Sequence, residues 1–462
     1  MAASISSVGI IACGRLELLK RCVDSYVANL ERHGRALELT VFDDSRLESD
    51  RDAAVAYLKG LKIGQSTLRY AGSTQRRRFA AALTRKGLPE KTVEFALFGL
   101  SGTATPGANR NSLLLDTIGR LAFMADEDTV CEAAPSPRLA LEPAAAPAAD
   151  AFEHWFFPDR RATLDAVDFS GADPFATHEA FLGRRVAGVA AAPVAATYCG
   201  FAGDGAAGSL AYLHLRGGSR ERLMRSERTY RAAMETMETL RVANRATILK
   251  DGYCMAAFMG VDNRRALPPF MPSFRVEDGV FGSLLKRASS SSALLLPWAM
   301  LHAPETRLYS MDGAAAVRYF VNELVSAVIR AIPEDVSPRR IGEELVLFAD
   351  SPQFEHRVNG LIRDRWKRRA EALEKLLELH GGSPAYWADD VRRTFGPLRA
   401  ALSIKECPPP TDALNTAGEK GAAWKLTAAA LANYGRLLAR WEDIRTESER
   451  LVSSGTRLSE PV

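Results

Sequence analysis

Along the first 130 residues, compact apolar runs alternate with segments of helical spacing. SVGIIA, residues 7–12, predicts a buried strand. Leu16, Leu19, Val23, Tyr26, Val27 and Leu30 share one helical face and predict an amphipathic helix. LELTVF, residues 37–42, predicts a second strand that runs into Asp43, Asp44 and Ser45, and the alanine-rich stretch 53–61 predicts a second helix. Strands that alternate with helices predict a parallel sheet covered by helices. Ligands meet such sheets at the carboxyl ends of the strands. The run LAFMA, residues 121–125, ends in Asp126-Glu127-Asp128, so this triplet and the Asp43-Asp44 pair both fall at that edge.

Residues 133–150 are rich in Ala and Pro and predict a flexible loop. Strands are expected near 195–199 and 210–215, and a long helix over about 219–243. The apolar run 294–301 ends in His302. From about residue 311 helical periodicity dominates. Residues 357–380 and 421–451 have amphipathic spacing, with CPPPTD, 407–412, as the connection between them. The pattern divides the chain into an α/β domain, 1–310, whose sheet is flanked by helices, and a mainly α-helical domain, 311–462.

A chain of 462 residues is too long for one simple core. Its 47% hydrophobic and 25% charged residues suit a soluble globular protein, and a net charge of +4 does not suit a general nucleic-acid binder. The basic run Arg76-Arg77-Arg78 reads as a solvated face. No apolar run approaches the roughly 20 residues of a membrane-spanning helix. Six cysteines, at 13, 22, 131, 199, 254 and 407, form no CxxC pair, and MAASISSVGIIACGR lacks the basic region of a secretory leader. Reduced thiols and a cytoplasmic location are therefore expected.

In extended backbone, Asp126 and Asp128 point the same way and can face one hard divalent cation. Taken alone, the triplet is an acidic loop. Asp43-Asp44-Ser45 also suits a turn or helix cap, and Glu277-Asp278-Gly279 a turn. A lone His302 suits a structural role, Trp298 a core position, and Gly203-Asp204-Gly205 a glycine turn.

Four segments, in order, resemble a nucleotide-sugar glycosyltransferase of the GT-A fold, most similar to family 2. They are SVGIIACGRLELLKRCVDSY, LTVFDDSR, GANRNSLLLDTIGRLAFMADEDT and PPFMPSFRVEDGVFGSLL. The resemblance covers roughly residues 7–305 and implies a Rossmann-like mixed sheet flanked by helices. It implies donor contacts from Ala12, Arg15, Asp43, Asp44, Asn109, Arg110 and Asp126, with Arg110 on a phosphate. It implies a metal site, Mn²⁺ or Mg²⁺, built from Asp126, Asp128 and His302. Asp278 would be the general base and Glu277 its support. The implied reaction moves a sugar from a nucleotide-linked donor, with UDP as the expected nucleotide, to a saccharide, peptide or protein acceptor, with inversion. The segment Ala12-Cys13-Gly14-Arg15 departs from the family pattern, and the Q-x-x-R-W motif of processive synthases is missing. Two other classes compete: a nucleotidyltransferase, and a non-catalytic protein whose helical part binds a partner. The helical part is also a candidate homo-oligomer interface.

Overall fold

The computed structural model describes residues 4–189, 192–205, 209–287, 291–334 and 336–462. Its strands are β1 (Ile5–Ala12), β2 (Glu38–Asp43), β3 (Thr67–Ala71), β4 (Leu121–Asp126), β5 (Thr129–Pro135), β6 (Ala144–Ala146) and β7 (Phe152–Phe156). β8 (Val194–Asp204), β9 (Glu238–Ala243), β10 (Thr247–Leu249), β11 (Phe258–Asp262), β12 (Ser292–His302) and β13 (Glu460–Pro461) complete the set. They form one mixed sheet in the order β13-β3-β2-β1-β4-β11-β8-β12-β10-β6, with β5 on β12 and β9 bridging β7 and β8.

The parallel part, β3-β2-β1-β4, is the one the N-terminal pattern predicts. Its crossovers are the helices α1 (Leu16–Arg32), α2 (Glu48–Lys59), α3 (Ser73–Arg85), α4 (Glu90–Phe98) and α5 (Pro106–Asp116). Register brings Ala12 level with Asp43, and Ile11 level with Asp126. The carboxyl ends of β1, β2 and β4 therefore share one edge. β8 and β12 run parallel to each other and reach the same edge at Gly203 and His302.

Side chains alternate across the sheet with a period of two. Val8, Ile10, Val41, Phe123 and Ala125 face a core closed by Tyr26 and Phe175. Ile11, Phe42, Ala122 and Met124 face a core that extends without a break into the C-terminal helices, to Leu345, Trp366, Trp387 and Trp441. The change at residue 311 is one of secondary structure; the core runs across it. No described helix is long and apolar enough to cross a membrane.

Three expectations need correction. Residues 210–215 are not a strand: a short helix spans Ser209–Leu213 and buries Tyr212 and Leu213. The long helix over 219–243 is instead two helices, Gly217–Leu223 and Glu227–Thr236, followed by β9. Met237 takes left-handed backbone (φ 57°) and stops the second helix, and the next six residues pair with β7 and β8. Pairing on both sides overrides helix propensity there. The stretch 133–150 is partly ordered: it holds the end of β5, all of β6, which pairs with Thr247–Leu249, and a turn of helix.

The helix Pro338–Ala349 crosses the helix Lys420–Ser453 at two glycines. A Cβ on Gly342 would lie 2.3 Å from the Gly435 carbonyl oxygen, and one on Gly435 2.4 Å from that of Gly342. Gly360, in the exposed middle of the helix Phe354–Leu379, has nothing within 4 Å. Urea unfolding should separate the two cases. Gly435→Ala is expected to lose about 1–3 kcal/mol by overpacking, whereas Gly360→Ala gains roughly 0.5–1 kcal/mol from helix propensity.

Candidate functional site

The segment PGANRN opens α5, and each polar residue in it has a separate task. Asn109 donates to the carbonyls of Ala12 (3.3 Å) and Phe42 (3.2 Å), tying the ends of β1 and β2 together. Asn111 donates to Ala96 and Phe270 and accepts from the Phe270 N–H. Between them, buried Arg110 holds both oxygens of Asp126 at 2.8 and 3.1 Å, Glu277 Oε1 at 2.9 Å and the Ala256 carbonyl at 3.2 Å. The helix approaches closely enough that a Cβ on Gly107 would meet the Met271 carbonyl oxygen at 1.9 Å. Arg110, expected on a phosphate, is engaged here with two carboxylates.

The acidic triplet is not extended. Glu127 and Asp128 form the turn between β4 and β5, so its three carboxylates diverge. Asp126 turns to Arg110. Buried Glu127 accepts from the Cys13 N–H (2.9 Å) and from Arg15 Nε (2.6 Å). Asp128 faces Arg15 Nη1 at 3.2 Å and His302 Nε2 at 3.6 Å. Arg15 is thus a counter-ion to the triplet, with its guanidinium 43% exposed. The end of β12 locks the turn, because the Ala303 N–H donates to the Asp128 carbonyl (2.8 Å). Like charges so close are sustained by cations on several sides.

His302 Nδ1 lies 2.5 Å from the Asp204 carbonyl oxygen. A carbonyl only accepts, so Nδ1 carries the proton and a neutral ring turns its Nε2 lone pair toward Asp128. Burial works against protonation of His302, yet Asp128 outweighs it and raises the imidazole's pKa. Burial likewise opposes ionisation of Asp128, but His302 and Arg15 hold its carboxyl well below the usual range. Among the described residues no three His, Cys, Asp or Glu side chains converge as a ready ligand set. Asp128 and His302 form a pair with an imidazole nitrogen and a carboxylate oxygen turned to one another. That donor set suits an ion that takes few protein ligands and completes its shell with phosphate oxygens.

Glu277 and Asp278 begin the helix Glu277–Arg287. The approach to it is strained: Phe274 and Val276 both take φ 67°, which is costly for a β-branched valine. Asn322 holds this backbone by donating to the carbonyls of Ser273, Phe274 and Arg275. The two carboxylates then part company. Glu277 is bound by Arg110, whereas among the described residues Asp278 accepts only from the Gly279 N–H (2.8 Å). Burial and the neighbouring Glu277 charge push the Asp278 carboxyl up to about 7. Burial also lifts Glu127 to about 7 against the pull of Arg15.

At the end of β2, Asp43 accepts from the Ser45 N–H and hydroxyl and from Tyr70 (2.7 Å). Asp44 accepts from Thr105 and from Arg76 Nη2 (2.8 Å). Arg76 corrects the solvated-face expectation. It is 1% exposed and also binds the Asp43 and Leu97 carbonyls. Its spacing with Phe79, Ala80 and Leu83 on α3 is the helical signal that marks it as inward-facing. Asp204 is no solvent turn either: it is 2% exposed and accepts from the Tyr309 hydroxyl at 2.9 Å. Residues 206–208 of the expected glycine-rich loop lie outside the described residues. Trp298 is half-buried and packs on the core beneath β12.

Two substitutions probe this electrostatic arrangement. Arg110→Met leaves Asp126 and Glu277 without their shared cation and is expected to lower stability by about 3–5 kcal/mol in chemical denaturation. Asp278 follows a raised-pKa sign: its contribution is full below the unfolded value near 4 and is lost as pH rises through about 7. Relative to wild type, Asp278→Asn should therefore gain stability from pH 5 to pH 8, by on the order of 2 kcal/mol, read as a pH-dependent difference in urea midpoints.

No protein-family model and no curated protein matches this chain.

Proposed function

We propose that the protein is a nucleotide-sugar glycosyltransferase that uses a divalent metal. The observation that carries this reading is the division of labour between Glu277 and Asp278. One carboxylate is neutralised by Arg110, and the other, beside it, is held near pKa 7 with no cation of its own. A base of that strength at a parallel-sheet edge suits removal of a proton from an acceptor hydroxyl.

In this reading Asp278 takes the acceptor proton as the hydroxyl oxygen attacks the anomeric carbon of the donor sugar. A single displacement inverts that carbon. Asp126, fixed by Arg110, faces the donor ribose or sugar, and the β2 end with Asp43, Asp44 and Arg76 receives the nucleoside. Asp128 and His302 are the side chains that would hold Mn²⁺ or Mg²⁺, which supplies charge neutralisation for a diphosphate leaving group. The Arg15 guanidinium, more than two-fifths exposed, adds positive charge at the mouth of the same site. The preferred donor is UDP-linked, and the acceptor is a saccharide, peptide or protein hydroxyl.

A ligand that binds the native state raises its stability by mass action, about 2.7 kcal/mol at one hundred times Kd. Melting temperatures measured with UDP, GDP, ADP and their sugar conjugates should rise for one base only, and only with Mn²⁺ or Mg²⁺. Asp128→Ala should abolish that rise, whereas Asp278→Asn should keep it and lose transfer. No rise with any nucleotide in wild type would defeat the proposal.

A further inference from the structure

A second concave region lies beside the site, on the far side of β8. It is a cleft of about 640 Å³ lined by Phe152, His154, Phe201, Tyr212, Arg216 and Arg241, among others. Its most unusual member is Arg241, on β9. The guanidinium carbon lies 3.9 Å from the Phe152 ring centre, 5.3 Å from that of Tyr253 and 5.8 Å from that of Phe201. Rings hold this cation, and among the described residues it has neither a carboxylate partner nor a hydrogen bond from its buried Nε. His154, 9% exposed, also turns a buried Nδ1 into this region without a partner. Of these two atoms Arg241 Nε is a donor whatever the tautomer of His154, and a buried donor left unmatched in the free protein calls for an acceptor.

The surroundings state the sign of that acceptor. Burial, Arg241 and Arg222 depress the His154 pKa to about 3, so His154 itself adds no cation at neutral pH. Of the carboxylates at its rim, Glu153 is taken by Arg222 at 3.0 Å and by Arg138 at 3.7 Å, and Asp150 is exposed. Arg138 and Arg216 add exposed positive charge at the mouth. A stacked guanidinium with free N–H groups recognises planar oxyanions, and the rings around it favour an apolar or planar body.

The cleft also adjoins the site. The Phe201 ring is 6.2 Å from that of His302. The Tyr253 ring, which Arg241 faces at 5.3 Å, also lies 6.4 Å from the Tyr198 ring on β8. We propose that this cleft is the acceptor subsite, and that it takes an acceptor bearing a phosphate or carboxylate on a planar or apolar body. The acceptor role rests on the transferase reading; the anion site rests on the cleft alone.

Calorimetric titration of the full chain with phenyl phosphate and with benzoate tests it, and benzyl alcohol serves as the neutral control. Whichever anion binds better names the acceptor group. Arg241→Gln should weaken the anionic probe at least about tenfold and leave benzyl alcohol nearly unchanged. Ala211→Trp, at an exposed position lining the cleft, should block both anions without touching the core. UDP with Mn²⁺, titrated in parallel, should bind both variants as it binds wild type. No anion binding, or equal binding by wild type and both variants, overturns the anion site. Arg241-dependent anion binding by a chain that binds no nucleotide keeps the anion site and overturns its acceptor role.

Discussion

The arrangement of the sheet edge depends on one buried guanidinium. Arg110 joins Asp126 at the end of β4 to Glu277 at the start of the helix Glu277–Arg287, residues 151 apart in sequence (277 − 126). Its third contact, with the Ala256 carbonyl, brings in the segment that leads to β11. Desolvating such an ion triad is expensive, and it is sustained only where geometry and hydrogen bonding are good. Here both conditions are met because α5 seats itself on backbone at either side of Arg110, through Asn109 and Asn111. With no Cβ at Gly107, the first turn of α5 can rest against residue 271. The sheet, α5 and the strained approach to Glu277 are thus one mechanical unit.

The C-terminal helices support that unit from behind. Tyr434 donates to the Pro269 carbonyl and Trp441 Nε1 to that of Leu267, while Arg445 binds Asn263 Oδ1. Asn322 holds the three carbonyls just before Glu277. The segment 263–276 therefore carries positive-φ residues without relaxing, since side chains from two separate helices fix it. Strain of this kind persists where the surroundings over-determine the backbone. The helical region thereby contributes to the placement of Glu277 and Asp278.

Much of the frame is legible in the sequence because β1, β2, β4 and β12 are dense apolar runs that end in polar residues, and such runs have few other stable placements. The edge location of Asp43, Asp126 and His302 follows from that alone. What periodicity misses is set by long-range pairing. Residues 238–243 become a strand because β7 and β8 flank them. Asp126 and Asp128 diverge because the chain turns between β4 and β5, so the extended-backbone geometry does not apply. Arg76 hides in a basic run whose flanking arginines are exposed or half-exposed, and only its i+3, i+4 and i+7 neighbours reveal that it faces inward. Arg241 gives no local signal at all, since the rings that hold it come from residues 152, 201 and 253.

The distribution of cations then gives the carboxylates at this edge different surroundings. Five acidic side chains at this edge are matched by arginines: Asp44 by Arg76, Asp126 and Glu277 by Arg110, and Glu127 and Asp128 by Arg15. Among the described residues Asp278 has only a backbone N–H. A cation favours the ionised form of its carboxylate, yet burial lifts Glu127 against the pull of Arg15 as it lifts Asp278, so Asp278 is set apart by its lack of a cation partner among the described residues and not by its pKa alone. Burial raises the Asp278 pKa most, the Glu277 charge adds to it, and Arg110 only partly offsets the two. The same guanidinium that assembles the edge therefore separates the surroundings of two adjacent carboxylates, binding Glu277 into the framework and leaving the Asp278 carboxyl raised toward neutrality.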